Sequence, residues 1–215
     1  VNFLLAVYLF FSITSFNQPV DGDKQVCSQV KIDIKDAVVD GFLNANEIKL
    51  ILQRAKLYPL AQPLETIDAR QIEDVLKSSP FVNDAQCYKT QSGQVCIQLT
   101  QRTPVMRVKA DNGDDYYVDN HGGVMPNTKY CSEIMIATGN VNRNYACKVL
   151  TKLGNTIVND KFWRNQIVQV NVLADGTVEL VPRVGEHIIY IGYPNGLKEK
   201  LARLEKFYRY GLSKA

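Results

Sequence analysis

Charge of one sign, clustered cysteine and histidine are what this sequence lacks. Its 25 basic residues are set against 22 acidic ones over 215 residues, a net charge of +3, and the two signs are interleaved. No basic block stands ready to neutralise a phosphate backbone, so nucleic acid is not an expected partner. Only two histidines are present. His121 falls beside a turn and His187 in a strand-like segment, neither with an evident partner. There is no HExxH, no GxSxG, no P-loop and no GxGxxG, so metal hydrolysis, the hydrolase elbow and phosphate cradling lack their signatures. Five cysteines, Cys27, Cys87, Cys96, Cys131 and Cys147, contain no CxxC pair and no zinc-type spacing. Their odd count leaves at least one thiol without an intrachain partner. Neither a cofactor, a metal nor a small-molecule substrate is expected, and no catalytic residue is assigned.

What the chain does have is a core-forming composition, 46% hydrophobic and 22% charged, enough for one large or two modest domains. Residues 1–11 read VNFLLAVYLFF, uncharged and apolar, followed by the milder SITSF. A spanning helix needs roughly 20 apolar residues, so residues 1–16 are expected to be a truncated membrane anchor; a signal peptide or a core element are the weaker readings. Residues 17–25, with Pro19 and Gly22, read as a juxtamembrane linker.

Folded structure begins after that linker. Val26, Val30, Ile32 and Ile34 alternate with polar residues as in a half-buried strand. Asn44 followed by Glu47, then Ile48, Ile51, Leu52 and Ala55, predicts a capped helix. Asp68 and Gln71 repeat that signature ahead of Ile72, Val75 and Leu76, and Pro80 closes the second helix. Residues 81–89 and 94–101 form a hairpin over a loop of residues 90–93. The succession strand, helix, helix, strand, strand makes a small α+β domain over 26–103. From residue 104 to 215 the texture is β-rich, with turn signals at Asn112-Gly113, His121-Gly122-Gly123, Asp175-Gly176 and Asn195-Gly196. Two helices accompany these strands: one around Ala146, Val149, Leu150 and Leu153, with Gly154 as its expected C-terminal cap, and a last one carrying Leu197, Leu201, Leu204 and Tyr208 on its apolar stripe.

Three patterns invite chemistry and are outweighed by blander readings. Ser28 and Lys31 spell SxxK, but in a period-two strand those positions point to opposite faces. The acidic run Asp111-Asn112-Gly113-Asp114-Asp115 departs from the order of a calcium loop and suits a tight turn. Trp163, beside Phe162, is read as core in preference to an exposed binding anchor.

Several stretches, taken together, resemble the FtsQ/DivIB family of bacterial cell-division proteins. Residues 81–105 with the exit Arg102-Thr103-Pro104 resemble the end of that family's POTRA domain. Residues 117–126, with Asp119-Asn120-His121-Gly122, resemble the opening of its β domain, and residues 159–167 with 175–185 its central β hairpin. Residues 189–192 followed by the helix at 198–208 resemble a strand and helix near its C-terminus, with the family's last strands missing after Ala215. The resemblance implies a truncated transmembrane helix, a POTRA-type β-α-α-β-β domain and a β-rich domain with flanking helices. It also implies a non-enzymatic scaffold, held in the inner membrane by one span with its bulk in the periplasm at the division septum. Its partners would be other division proteins, a subcomplex of FtsB and FtsL type. A chaperone-like POTRA module for envelope proteins is the alternative.

The family's partner contacts near its C-terminus point to strand addition beside residues 187–191, supported by the helix at 197–210; with the family's last strands missing, an exposed edge and weak or absent partner binding are expected. Tyr190, Arg203, Tyr208 and Tyr210 are the candidate contacts, since Tyr and Arg dominate hot spots. A four-residue loop at 90–93 would set Cys87 opposite Cys96, as a disulfide or as two packed thiols.

Overall fold

The computed structural model describes Tyr8 and residues 25–35, 43–127 and 134–211. The expected anchor at 1–16, most of the linker at 17–25, and Cys131 therefore lie outside the described residues, Tyr8 and Gln25 excepted. Among the described residues no helix is long and apolar enough to cross a membrane. The described residues divide into two compact units: 25–35, 45–78 and 84–99 belong to the first, and 43–44, 79–83, 100–127 and 134–211 to the second.

The first unit follows the expected succession: β1 (Gln29–Lys35), α1 (Ala45–Arg54), α2 (Ala69–Lys77), β2 (Val82–Lys89) and β3 (Gln94–Gln101), with sheet order β1-β3-β2. Strand β1 starts later than its apolar pattern suggests, because Val26 is spent on an isolated bridge to Pro63 and is half exposed. Helix α2 is capped as predicted: the Asp68 carboxylate accepts from the N–H groups of Arg70 (2.9 Å) and Gln71 (3.1 Å). Ile48 and Leu52 of α1, Ile72 and Leu76 of α2, and Val95, Ile97 and Leu99 of β3 are all buried. Two amphipathic helices and one face of a sheet thus share a core.

The hairpin differs from expectation by one residue. Thr90 N–H donates to the Gln94 carbonyl (2.9 Å) and Gly93 N–H to the Thr90 carbonyl (3.2 Å). That makes a three-residue loop ending on Gly93 at φ +79°, a type I turn closed by a bulge whose left-handed residue suits glycine. Thr90 then pairs with Gln94, Tyr88 with Cys96, and Cys87 with Ile97. Cys87 and Cys96 consequently lie on opposite faces of the hairpin, and both are free thiols. The same bond pattern recurs between Ala110 and Asp114, Asp119 and Gly123, and Leu173 and Thr177.

The second unit is built on a seven-stranded sheet in the order β10-β9-β8-β7-β4-β5-β6. Its strands are β4 (Pro104–Ala110), β5 (Asp115–Asp119), β6 (Val124–Pro126), β7 (Ile136–Gly139), β8 (Ile167–Val172), β9 (Val178–Pro182) and β10 (Ile189–Gly192). The central strands β4, β7 and β8 run parallel and the flanking pairs antiparallel. Parallel neighbours need a crossover. Between β7 and β8 it is helical: α3 (Arg143–Tyr145), a π-helical stretch (Ala146–Leu150), α4 (Thr151–Val158) and α5 (Lys161–Gln166). The last helix is α6 (Leu197–Tyr210).

Two expectations are corrected here. Gly154 does not end its helix; it sits buried inside α4, where an added Cβ would lie 3.3 Å from Val105 Cγ2 and 3.4 Å from Met106 Cε. The missing side chain lets the helix approach β4. Residues 161–166, read with the central hairpin, are helical because Asp160 caps them, accepting from Phe162 N–H (2.9 Å) and Trp163 N–H (3.1 Å). Trp163 is fully buried, in T-shaped contact with Phe162 (4.9 Å) and Tyr208 (5.5 Å). These rings join Val108, Val118, Ala137, Leu150, Leu153, Val170 and Leu180 in the main core.

Candidate partner-binding edge

Strand β10 is the last in the sheet order. One flank pairs with β9, Ile189 opposite Leu180 and Tyr190 opposite Glu179; the other faces no strand among the described residues. Such a flank carries unpaired N–H and C=O groups that an incoming strand can use. A register shift between Tyr190 and Gly192 bulges Ile191. Its backbone is held from α6, where the Lys200 ammonium donates to the carbonyls of Ile191 (3.0 Å) and Tyr193 (2.8 Å) and to Asn195 Oδ1 (3.2 Å). Lys200 therefore fixes the spacing between edge strand and helix.

Helix α6 lies against the sheet because Leu197 and Leu201 are buried and Leu204 and Tyr208 pack on the main core. Between it and β10 runs a groove of about 390 Å³ lined by Ile189, Tyr190, Ile191, Lys200, Arg203 and Leu204. Tyr190 is 62% exposed. Arg203 is exposed as well, and no carboxylate pairs with it among the described residues. Two of the predicted contacts, one from the strand and one from the helix, thus meet across one groove. Exposed Ile188 and Tyr193 flank β10 and exposed Phe207 lies on α6, more apolar surface than a solvated edge requires.

The other two predicted contacts are placed differently. Tyr210 is exposed near the end of α6, outside the groove lining. Tyr208 faces inward: its hydroxyl is hydrogen-bonded to His187 Nε2, its ring packs on Trp163, and burial raises its phenol above the ordinary value. It anchors α6 instead of presenting a contact. Sequence reasoning misses Lys200, whose place among the charges of an amphipathic helix gives no sign that it reaches back to the strand.

The remaining chemistry-bearing residues serve structure. Ser28 Oγ donates to the Gly93 carbonyl (3.1 Å) and Lys31 points outward from β1. Asp115 takes a two-pronged contact from Arg107, with Nε to Oδ1 at 2.8 Å and Nη2 to Oδ2 at 2.7 Å, which holds its carboxyl below the usual range. Asn112 and Asp114 bond each other within the turn. Among the described residues no three His, Cys, Asp or Glu side chains gather as a metal site. His121 contributes its backbone N–H to Asp119 Oδ1 (2.9 Å).

Comparison with protein families decides what this architecture is. A POTRA-like domain matches residues 25–100, and the FtsQ/DivIB C-terminal related domain matches residues 103–215, more than half of the chain. The chain belongs to the FtsQ/DivIB family. The two families matched are of a non-catalytic, scaffold type, and the pair suggests a division-associated POTRA protein. No match is found among curated proteins.

Two motifs of the FtsQ/DivIB resemblance meet in the fold. Arg102 of Arg102-Thr103-Pro104 reaches Asp119 of the Asp119-to-Gly122 motif, Nη1 to Oδ2 at 3.4 Å. The second carboxylate oxygen accepts from His121 N–H and, at 2.6 Å, Gly123 N–H, while Arg102 Nε donates to the Val82 carbonyl (3.3 Å). Asp119 is only 3% exposed. The motif residues form a clasp that fixes the start of β4 against the β5–β6 turn.

Proposed function

We propose that this FtsQ/DivIB-family chain is a division scaffold that captures an extended segment of a partner of FtsB or FtsL type by strand addition at β10. The incoming strand would take the free flank of β10 while its side chains enter the groove beside α6. Tyr190 would supply a flat apolar contact there, and Arg203 would pair with a carboxylate. The observation that carries this reading is the open edge strand adjoining a groove with one exposed tyrosine and one unmatched arginine. The chain would act by recruitment and not by turnover. A membrane helix from the N-terminal region would hold both domains on the periplasmic side of the inner membrane at the septum.

The test is a pull-down and titration with the periplasmic part of an FtsB-type partner, using Tyr190→Asp and Arg203→Glu. Both positions are solvent-facing, so folding is retained. Hot-spot truncations cost about 1–2 kcal/mol or more, so each variant is expected to weaken binding roughly tenfold and the pair together to abolish it. Unchanged affinity in the double variant refutes the edge as the binding site. Imaging of a fluorescent fusion tests the setting, since a midcell band is expected and a uniform envelope signal refutes it.

A further inference from the structure

A second recess lies where the parallel strands begin and shares no residue with the β10 groove. Its volume is about 560 Å³, within the roughly 300–1,000 Å³ typical of binding pockets. The floor is Val105, Met135, Ile157 and Ile167, all buried hydrophobics. Arg164 of α5 and Arg183, just past β9, stand at the rim, both exposed. Among the described residues no acidic side chain lines it and neither guanidinium has an ion-pair partner. An apolar cavity with two cations at its rim is complementary to a ligand that is apolar at one end and anionic at the other.

The strand registers say why the recess exists. Strand β7 first pairs at Ile136, opposite Arg107 of β4 and Gln169 of β8, and the first bond of that ladder runs from Arg107 N–H to the Met135 carbonyl (2.9 Å). Strand β4, however, begins at Pro104 and β8 at Ile167. Both outer strands start ahead of the middle one, which leaves a notch in the sheet between them. Strand backbone bordering a notch offers hydrogen-bonding groups that a hydrocarbon tail cannot use and a peptide backbone can.

We propose that this notch is a second binding site, for an extended peptide segment of a partner protein that presents an apolar side chain next to a carboxylate. The side chain fills the cavity over Ile157 and Ile167, and the carboxylate sits between Arg164 and Arg183. The proposal goes beyond capture at β10 and stands or falls independently of it.

The experiment follows the methyl NMR signals of Ile157, Ile167 and Met135 in the 215-residue chain while the acetylated, amidated tetrapeptide Leu-Glu-Leu-Glu is added. The expected result is a saturable shift confined to these methyls, at least tenfold weaker for Leu-Gln-Leu-Gln and for the double variant Arg164→Glu with Arg183→Glu. Because both arginines are exposed, that variant keeps its spectrum elsewhere. Tyr190→Asp is expected to leave the titration unchanged, which separates this site from the edge strand. Absence of any shift, an equal response to the glutamine peptide, or loss of the response in Tyr190→Asp overturns the proposal. So does a response to dodecanoate without one to the peptide, which assigns the pocket to lipid acids.

Discussion

Replacing Asp119 by alanine removes three interactions at one buried point. The carboxylate is 4% exposed and accepts from His121 N–H (2.9 Å) and Gly123 N–H (2.6 Å), while its other oxygen faces Arg102 Nη1 at 3.4 Å. Removing one partner of a buried ion pair costs about 3–5 kcal/mol, because the other charge is left unpaired away from water. Arg102 is 30% exposed and recovers some hydration, which sets the expectation near the low end, about 3 kcal/mol. Asp119→Asn keeps an oxygen for the two N–H groups but loses the charge and the acceptor facing Arg102, which then meets an NH2 group, so a smaller loss of about 1–2 kcal/mol is expected. The assay is urea unfolding followed by Trp163 fluorescence; this single tryptophan is buried in the second unit and reports that unit's transition. The midpoint should fall with the slope unchanged. A loss under about 1 kcal/mol for Asp119→Ala, or equal losses for the two variants, refutes the clasp. Combined with Arg102→Met, the alanine variant should cost much less than the sum, since the two residues act as one unit.

Gly154→Val should lower the same midpoint by about 2–3 kcal/mol through overpacking, since the added carbons meet Val105 and Met106 already at 3.3–3.4 Å; Gly154→Ala should be close to neutral, its better helix propensity offsetting the squeeze. Burial, with Glu73 next, raises the Cys87 thiol from 9.0 to about 11. The folded state therefore holds this proton more tightly than the unfolded chain, so the stabilisation is complete below pH 9 and is lost as pH rises towards 11. The expected slope approaches about 1.4 kcal/mol per pH unit, and Cys87→Ala should remove that component of the titration. Mass spectrometry after alkylation in denaturant without reductant should count Cys87 and Cys96 as free thiols, and a crosslink between them refutes the hairpin register.

The first unit is largely legible in the sequence, because its elements are local. Capping pairs, apolar repeats and a glycine-ended loop each declare themselves within about ten residues, and Asp68 caps α2 as its spacing implies. What escapes there is one residue of register. Whether a loop ends as a four-residue turn or as a turn plus bulge depends on the φ of Gly93, and composition does not fix it. That single choice moves Cys87 from opposite Cys96 to opposite Ile97 and turns the two thiols to different faces. In the second unit Gly154 misleads for a related reason. Glycine is common both at helix ends and where two backbones press together, and only the facing Val105 and Met106, distant in sequence, decide between them.

The candidate edge is legible as a strand but not as an edge. The position of β10 follows from a sheet order in which β7 and β8 insert between β4 and β9, a non-local fact that no local pattern carries. For the contact residues, periodicity holds more than chemical type. Tyr208 lies on the stripe of Leu197, Leu201 and Leu204, so helical spacing alone assigns it to the core, where it meets Trp163. Arg203 lies off that stripe and Tyr190 follows buried Ile189 in a strand, so both parities point outward, and these two share the groove. Chemical type ranks all four candidates equally, while periodicity separates Tyr208 from the rest. Facing must therefore be read before chemistry: a tyrosine contributes to a binding edge only after the period of its own element has left it outside the core.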